Sequence, residues 1–156
     1  MDGQCIGTAA FGRKTLKIPR IVFSEEQMII SVGTDLVKIA RVEQALNRWG
    51  QRFVKKLLTS EEQLLLEGRS KANQGAFLAK QFAAKEAVCK ALGTGMRQGV
   101  SFPAIEIPRN RYGAPTVKLF GAALARQNKL QISTWHLSIS DESGYALAFV
   151  VAEGRY

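Results

Sequence analysis

Hydrophobic residues recur with two different periods in the first part of the chain, and the change of period predicts a strand followed by a helix. Residues 29–32, directly after Met28, are largely β-branched and end at Gly33, which is typical of a short strand. From about Leu36 to Trp49 the apolar residues stand three or four apart, so we expect an amphipathic helix there.

Two further helices are predicted before residue 93. Thr59 followed three residues later by Glu62 is a capping box, which predicts a short helix through about residue 67. Residues 68–73 are expected to form a loop. A longer helix follows over about 74–92, and the glycines of the GTG sequence at 93–95 end it.

The second half of the chain is predicted to be mainly strands, because short apolar runs alternate there with turn residues. The expected elements are strands at 104–108 and 116–119, a helix at 121–127, and strands at 131–140 and 145–153. The last two strands would form a hairpin around residues 141–144. This order of elements predicts an α+β fold with a small antiparallel sheet.

Residues 1–27 differ from the rest of the chain. They contain several glycines, show no sustained period, and lack the compact apolar segment and cleavage site of a secretory signal. We expect an extension from an upstream start, or a segment added for expression, that is poorly ordered. Residues 28–156 are then expected to form a single domain.

Composition excludes several classes of protein. Two cysteines cannot form a disulfide framework or a cysteine-rich zinc site, and a single histidine excludes motifs that need two. Apolar runs are far shorter than the ~20 residues that cross a bilayer. We therefore expect a soluble cytoplasmic protein that does not bind membranes. The net charge of +9 favours polyanionic partners without choosing among them.

The predicted long helix carries the first candidate chemistry. Glu86 and Lys90 are four residues apart and project from the same face. They would form a helical ion pair, or else a carboxylate for Mg²⁺ and a cation for phosphate. The glycines of the 93–95 turn, which follows them, would let backbone N–H groups approach phosphate oxygens. Together these are the parts of a diphosphate site.

Asp35 is the second candidate carboxylate, because it follows a predicted strand at the expected start of a helix. It would cap that helix or act as a second oxygen ligand of Mg²⁺ beside Glu86. Residues 38–56 contain six basic side chains against Glu43 alone. This segment is a solvated helix face or a docking surface for an acidic partner.

Three blocks of sequence resemble the holo-acyl-carrier-protein synthases, which are bacterial phosphopantetheinyl transferases. The blocks are VGTDLV at 32–37 with IAR at 39–41, FAAKEA at 82–87 with KALGTG at 90–95, and LSISDE at 137–142 before Tyr145. Their order and spacing are kept from Met28 to Glu153. The chain is therefore identified as a member of this family, whose fold is α+β and whose usual assembly is a homotrimer with active sites between subunits.

The resemblance implies an activity in fatty acid biosynthesis. Members bind coenzyme A with Mg²⁺ and transfer its 4′-phosphopantetheine to a serine of the acidic apo acyl carrier protein, releasing adenosine 3′,5′-bisphosphate. The resemblance implies that Asp35 and Glu86 bind the metal ion and that these two residues and Lys90 are catalytic. Cofactor contacts are implied for Lys85, Lys90, Gly93, Thr94, Gly95 and Asp141, and carrier contacts for Arg41 and Arg48. Three alternatives stay open for the base that takes the serine proton: a metal-bound water, Glu86 and Asp141.

The sequence departs from the family pattern at two positions. Asp141 stands where many members have histidine, and Gln81 stands where many have arginine, a cation that Lys80 would replace. The rival hypothesis is a basic nucleic-acid-binding module that uses residues 38–56. It is disfavoured, because the chain lacks the stacking aromatic residues and recognition helix of such modules.

Overall fold

The computed structural model describes residues 27–155. In chain order the elements are β1 (Met28–Lys38), α1 (Ile39–Trp49), α2 (Gln51–Leu57), α3 (Ser60–Glu67), α4 (Lys71–Ala91), a 3-10 turn (Phe102–Ala104), β2 (Ile105–Glu106), β3 (Lys118–Leu119), α5 (Gly121–Lys129), β4 (Ile132–Glu142) and β5 (Tyr145–Gly154). The predicted α+β class is confirmed. The expectation for the N-terminal extension concerns residues 1–27, of which all but Gln27 lie outside the described part.

Strands β1, β5 and β4 form an antiparallel sheet in that order, with β5 in the centre. The hairpin predicted between the last two strands is present. Its connection is only two residues long, Ser143 and Gly144, and both have positive φ (50° and 82°), as a type I′ turn requires. Strands β2 and β3 form a separate two-stranded antiparallel ladder.

Helix α4 packs along one face of the sheet, and small residues allow a close approach. The inner face of β5 consists of four fully buried residues: Ala146, Ala148, Val150 and Ala152. On β1, a Cβ atom at Gly33 would overlap the carbonyl oxygen of Ala87 in α4. Only glycine therefore fits at residue 33, and the backbone of the helix rests on the backbone of the strand.

Strand β1 extends to Lys38, so the predicted start of the first helix at Leu36 is wrong by three residues. Leu36 is exposed and Val37 is buried, which is the alternation of a strand, and Lys38 pairs with Tyr145 of β5. Asp35 therefore lies inside β1, and the alternative that it caps a helix is wrong. Pairing with the central strand prevails over the helical spacing of the apolar residues.

Gly50 divides the basic segment into two helices. Its φ of 51° ends α1 and begins α2, and its amide donates to the Leu46 carbonyl oxygen at 2.7 Å. Arg41 and Arg48 lie on α1, whereas Arg52 lies on α2. The three arginines therefore do not share one continuous helical face.

Other boundaries differ by a few residues. The capping box is confirmed, because Thr59 Oγ1 accepts from the Glu62 amide and Glu62 Oε2 accepts from the Thr59 amide. Helix α4 begins at Lys71, three residues before its predicted start, and each strand of the small ladder has only two residues. No helix in the described part of the chain is long and apolar enough to cross a membrane.

Candidate active site

Strand β1 and helix α4 bring Asp35 and Lys90 together. Asp35 is on the face of β1 that packs against α4, and its side chain is 17% exposed. The Lys90 ammonium donates to Asp35 Oδ1 at 2.9 Å and to the carbonyl oxygen of Thr34 at 2.7 Å. A carboxylate from the sheet is thus joined to a cation from the last turn of α4.

Of the two alternatives for Glu86 and Lys90, the ion pair within α4 does not form in the described part of the chain. Lys90 binds Asp35 instead of Glu86, and no cation of residues 27–155 lies within ion-pair distance of Glu86. Burial raises the pKa of Glu86 above its usual range, the negative charge of Asp35 raises it further, and Lys90 only partly opposes both. Glu86 is therefore a partly buried carboxylate that repels a second carboxylate.

This arrangement fits a divalent cation. Two carboxylates whose charges repel each other are stabilised when a cation binds between them, and hard oxygen ligands suit Mg²⁺. Mg²⁺ typically takes one or two protein carboxylates and completes its coordination with water and substrate phosphates. Two carboxylates would be the whole protein contribution here, since residues 27–155 contain no cluster of three or more potential metal ligands.

The glycine turn lies at the C-terminal end of α4. Gly93 and Gly95 have φ of 71° and 55°, and the Thr94 hydroxyl donates to the Gly95 carbonyl oxygen at 3.1 Å. The C-terminal end of a helix carries partial negative charge, which disfavours a phosphate there. A phosphate-bearing ligand beside this turn therefore needs compensating cations, and Lys90 is one of them.

A second cation at the turn was not predicted from the sequence. Arg126, on α5, donates from Nε to the carbonyl oxygen of Leu92 at 2.9 Å and so caps the end of α4. The only signal in the sequence would have been its position three residues before Lys129 on a short helix. That spacing places both cations on one face of α5, but it does not show which part of the protein this face contacts.

Lys85 is directed into the protein interior. Its side chain is fully buried, and its ammonium donates to three acceptors: Glu62 Oε2 at 2.5 Å, the Leu57 carbonyl oxygen at 2.7 Å and the Phe102 carbonyl oxygen at 3.2 Å. Burial lowers the pKa of Lys85, although the Glu62 carboxylate opposes this. With its three donors occupied, Lys85 is not available to a cofactor in this conformation, so the predicted direct contact does not fit.

Glu62 has a role that its capping box alone does not show. Besides Lys85, its carboxylate accepts from the Thr59 amide and from the Ile107 amide, both at 2.9 Å. The Thr59 hydroxyl in turn donates to Glu106 Oε2 at 3.1 Å. This buried network connects α3, β2 and the helix that carries Glu86.

Asp141 lies at the opposite edge of the sheet from Asp35. Their strands, β4 and β1, are separated by β5, where Asp35 pairs with Ala148 and Asp141 with Ala146, so the two aspartates are more than roughly 10 Å apart. Asp141 Oδ1 binds Lys80 Nζ at 3.0 Å. Within one chain, Asp141 therefore does not join the carboxylate pair formed by Asp35 and Glu86.

Gln81, the other position that departs from the family pattern, is buried, and its Oε1 atom has no hydrogen-bond partner in the described part of the chain.

Arg41 and Arg48 border a groove between α1, α2 and α4. The groove has a volume of about 350 Å³, and Val37, Phe53 and Phe82 contribute apolar side chains to its lining. Val37 is two residues after Asp35 on the same face of β1, and Phe82 is one helical turn before Glu86. The groove therefore begins beside the carboxylate pair.

Cys89 and His136 are not part of this arrangement. Cys89 is fully buried, and burial raises the pKa of its thiol to about 12. His136 lies on the other face of the sheet and contacts Glu153 Oε2 at 2.9 Å. Neither residue is positioned as a nucleophile or base.

The chain belongs to the 4′-phosphopantetheinyl transferase superfamily, whose family model matches residues 31–150. The holo-[acyl-carrier-protein] synthase of Vibrio cholerae is 48% identical to it over 128 residues, which are 82% of this chain and 100% of that protein. The predicted family and enzyme class are thereby confirmed. The alternative of a nucleic-acid-binding module receives no support from these relatives.

Solved structures agree with the sequence relatives. The crystal structure of holo-[acyl-carrier-protein] synthase from Neisseria meningitidis matches with a TM-score of 0.73 at 43% identity, over 80% of this chain and 98% of that one. A structure of the Helicobacter pylori synthase in complex with coenzyme A matches with a TM-score of 0.67 at 31% identity, over 78% of this chain and 98% of that one. The fold and family are therefore shared along nearly the whole length of these enzymes.

Proposed function

We propose that this protein transfers the 4′-phosphopantetheine group of coenzyme A to a serine of apo acyl carrier protein in a Mg²⁺-dependent reaction. The supporting observation is the carboxylate pair Asp35 and Glu86, with Lys90 and the glycine turn beside it. The complex of the Helicobacter pylori relative with coenzyme A supports the same substrate here. Such an enzyme of fatty acid biosynthesis acts in the cytoplasm.

Asp35 and Glu86 would hold the Mg²⁺ ion. When bound, the ion neutralises charge on the diphosphate of coenzyme A and so stabilises the leaving group. The Lys90 ammonium is held at the Thr34 carbonyl oxygen and at Asp35 Oδ1, from where it would reach the transferring phosphoryl group. Lys90 then offsets the negative charge that develops in the transition state.

The carrier serine is the nucleophile. Its oxygen forms a bond to the β-phosphorus of coenzyme A, the bond from that phosphorus to the bridging oxygen breaks, and adenosine 3′,5′-bisphosphate leaves. Of the two protein carboxylates considered as base, we favour Glu86 to take the serine proton, because it lies one helical turn before Lys90 on α4 and close enough to Asp35 to feel its charge. Asp141 is bound to Lys80 at the other edge of the sheet.

The groove beside the carboxylate pair is proposed to receive the carrier. Arg41 and Arg48 are two helical turns apart at its border, so they contact two points along an acidic helix at once. The planar guanidinium binds a carboxylate through two parallel hydrogen bonds. Because the groove begins beside Asp35 and Glu86, a carrier docked there presents its serine to the site.

We also propose a homotrimer. The sheet face opposite α4 exposes large apolar side chains, which are 55% exposed at Val32, 62% at Leu36, 41% at Leu147 and 47% at Phe149. Exposed apolar patches of this kind mark interaction surfaces. Light scattering after size exclusion should give a trimer, and Leu147→Lys should dissociate it, whereas Leu64→Lys, which charges an exposed leucine on α3, should not. A wild-type monomer would contradict this proposal.

One assay tests the activity directly. The protein is incubated with apo acyl carrier protein, coenzyme A and Mg²⁺, and the carrier is weighed by mass spectrometry. One added phosphopantetheine per carrier is expected, with no addition when Mg²⁺ is chelated. The absence of any addition at saturating substrates would refute the proposed function, and equal transfer under chelation would refute the metal site alone.

A further inference from the structure

The buried ammonium of Lys85 joins three segments of the chain at the position directly before Glu86. It donates to the carbonyl oxygen of Leu57 at 2.7 Å, to the carbonyl oxygen of Phe102 at 3.2 Å and to the carboxylate of Glu62. Leu57 is the last residue of α2, Glu62 lies on α3, and Phe102 begins the 3-10 turn. One side chain of α4 therefore connects this helix to three other elements.

Two of these elements carry aromatic side chains at the groove that is proposed to receive the carrier. Phe53 lies one helical turn before Leu57 on α2 and lines the groove. Phe102 packs against Phe82, which also lines the groove, with the ring centroids 5.4 Å apart and the ring planes tilted by 60°. The hydrogen bonds of Lys85 therefore hold the backbone that carries this aromatic lining against α4.

Stability alone does not explain a buried ion pair at this point. The side chains of Lys85 and Glu62 are only 0% and 2% exposed, so their attraction is largely offset by the cost of removing two charges from water. Apolar side chains of similar size are often as stable in such a place. Apolar contacts have no preferred direction, whereas three hydrogen bonds from one ammonium fix the distances and directions of three acceptors. The pair therefore contributes a defined geometry.

We infer that Lys85, held by Glu62, is a positioning residue that fixes the carrier groove relative to the carboxylate pair. The inference rests on the proposed function, which places the carrier in that groove and the reaction at Asp35 and Glu86. Because Lys85 and Glu86 are adjacent on α4, the hydrogen bonds of Lys85 set the places of α2 and the 3-10 turn relative to Glu86. The donors of Lys85 are occupied by the protein, so this residue acts through these segments and does not contact a substrate.

Attraction of the carrier and alignment of its serine depend on different parts of the groove. Arg41 and Arg48 lie on α1, which none of the three hydrogen bonds of Lys85 reaches. These arginines attract the acidic carrier through charge. Alignment of the serine depends on the lining of the groove, and a displacement of about 1 Å can lower a rate roughly 100-fold. A protein without the Lys85 network should therefore bind the carrier and modify it slowly.

The test is a double variant that combines Lys85→Met with Glu62→Gln. It removes both buried charges together, so neither is left unpaired, and glutamine keeps an oxygen for the Thr59 amide. The double variant should therefore unfold at a higher denaturant concentration than Lys85→Met alone. At saturating Mg²⁺ its kcat should fall about 100-fold. The dissociation constant of the apo carrier, measured by titration calorimetry, and the KM for coenzyme A should each change by less than about threefold.

Lys118→Met is the matched control, because it removes an exposed lysine at the outer edge of the same network, 3.6 Å from Glu106. Its kcat and its affinity for the carrier should equal those of the wild type. The inference is overturned if the double variant keeps wild-type kcat or does not fold, because the pair would then be structural only. It is also overturned if affinity for the carrier falls as much as kcat. Failure of the proposed function is distinct, since the wild type itself would then transfer no phosphopantetheine.

Discussion

Replacement of Glu86 by glutamine tests the role of the carboxylate pair most directly. Glutamine keeps the size of the side chain and its hydrogen-bonding capacity while it removes one negative charge. If Glu86 is a metal ligand, Glu86→Gln should lose activity and keep its fold. If the residue only stabilises the protein, activity and stability should fall together.

The expected loss of activity follows from the size of the charge interaction. Two unit charges 4 Å apart interact by about 4 kcal/mol at an effective dielectric constant of 20, which corresponds to about a thousandfold in rate. Loss of a single stabilising electrostatic contact in other enzymes costs roughly 100- to 1,000-fold. We therefore expect kcat/KM at limiting Mg²⁺ to fall by about two to three orders of magnitude.

Stability should move in the opposite direction. Because the folded protein raises the pKa of Glu86, ionisation of this carboxylate opposes folding, and stability is lost as the pH rises through that pKa. Glutamine removes this cost. In the absence of metal at neutral pH, the melting temperature of Glu86→Gln should therefore equal or exceed that of the wild type.

Both quantities are measurable on the same preparation. Carrier modification is followed by mass spectrometry across a Mg²⁺ titration, and thermal unfolding is measured by calorimetry with chelator present. Glu67→Gln is the control, because Glu67 is an exposed glutamate on α3. Wild-type activity of Glu86→Gln at limiting Mg²⁺ would refute its role as a ligand. A melting temperature lowered by more than about 4 °C, or about 1 kcal/mol, would refute the stability reasoning.

Three further substitutions test the docking surface, the buried network and the packing of the helix. Arg41→Glu combined with Arg48→Glu should raise the KM for the carrier at least about tenfold, with little effect on coenzyme A. Lys85→Met should cost about 3–5 kcal/mol in chemical denaturation, because Glu62 is left buried without its cation. Gly33→Ala should destabilise by about 3 kcal/mol or more, because its Cβ atom would overlap the backbone of α4.

Each of these substitutions has a matched control and a contrary outcome. Arg69→Glu, an exposed arginine outside the groove, should leave the KM for the carrier unchanged, and an equal rise in both variants would point to net charge alone. Lys71→Met should be near neutral; a similarly small effect of Lys85→Met would show that the network contributes little. Gly68→Ala meets no atom closer than 3.9 Å and should be tolerated; comparable losses at both glycines would contradict the packing argument.

Much of this protein is readable from the sequence because the relevant interactions are local. The capping box of α3 involves residues three positions apart, and the hairpin of β4 and β5 closes through two residues whose types suit a tight turn. The sequence groups Glu86, Lys90 and the glycine turn together, because the first two lie on one helix and the turn follows its end directly. Sequence motifs of this kind carry the family resemblance from residue 31 to residue 150.

The partners of these residues were decided by the tertiary structure. The helical spacing of Glu86 and Lys90 suggested an ion pair, yet Lys90 binds Asp35, which is 55 residues away in the sequence. Lys85 directly precedes Glu86, but it turns inward to a carboxylate 23 residues away. Neighbouring positions on a helix point in directions about 100° apart, so adjacency along the chain says little about which environment each side chain enters.

The sequence by itself therefore determined the class of fold and the family, and it showed that Glu86, Lys90 and the glycine turn follow one another along the chain. Only the tertiary structure decided that Asp35 lies in a strand instead of capping a helix, that Lys85 is buried, and that Arg126 reaches the end of α4. Local propensities and motifs act over a few residues. Strand pairing with β5 and the close packing of α4 bring together segments that are distant in sequence. Those long-range contacts determine which charged side chains contact each other.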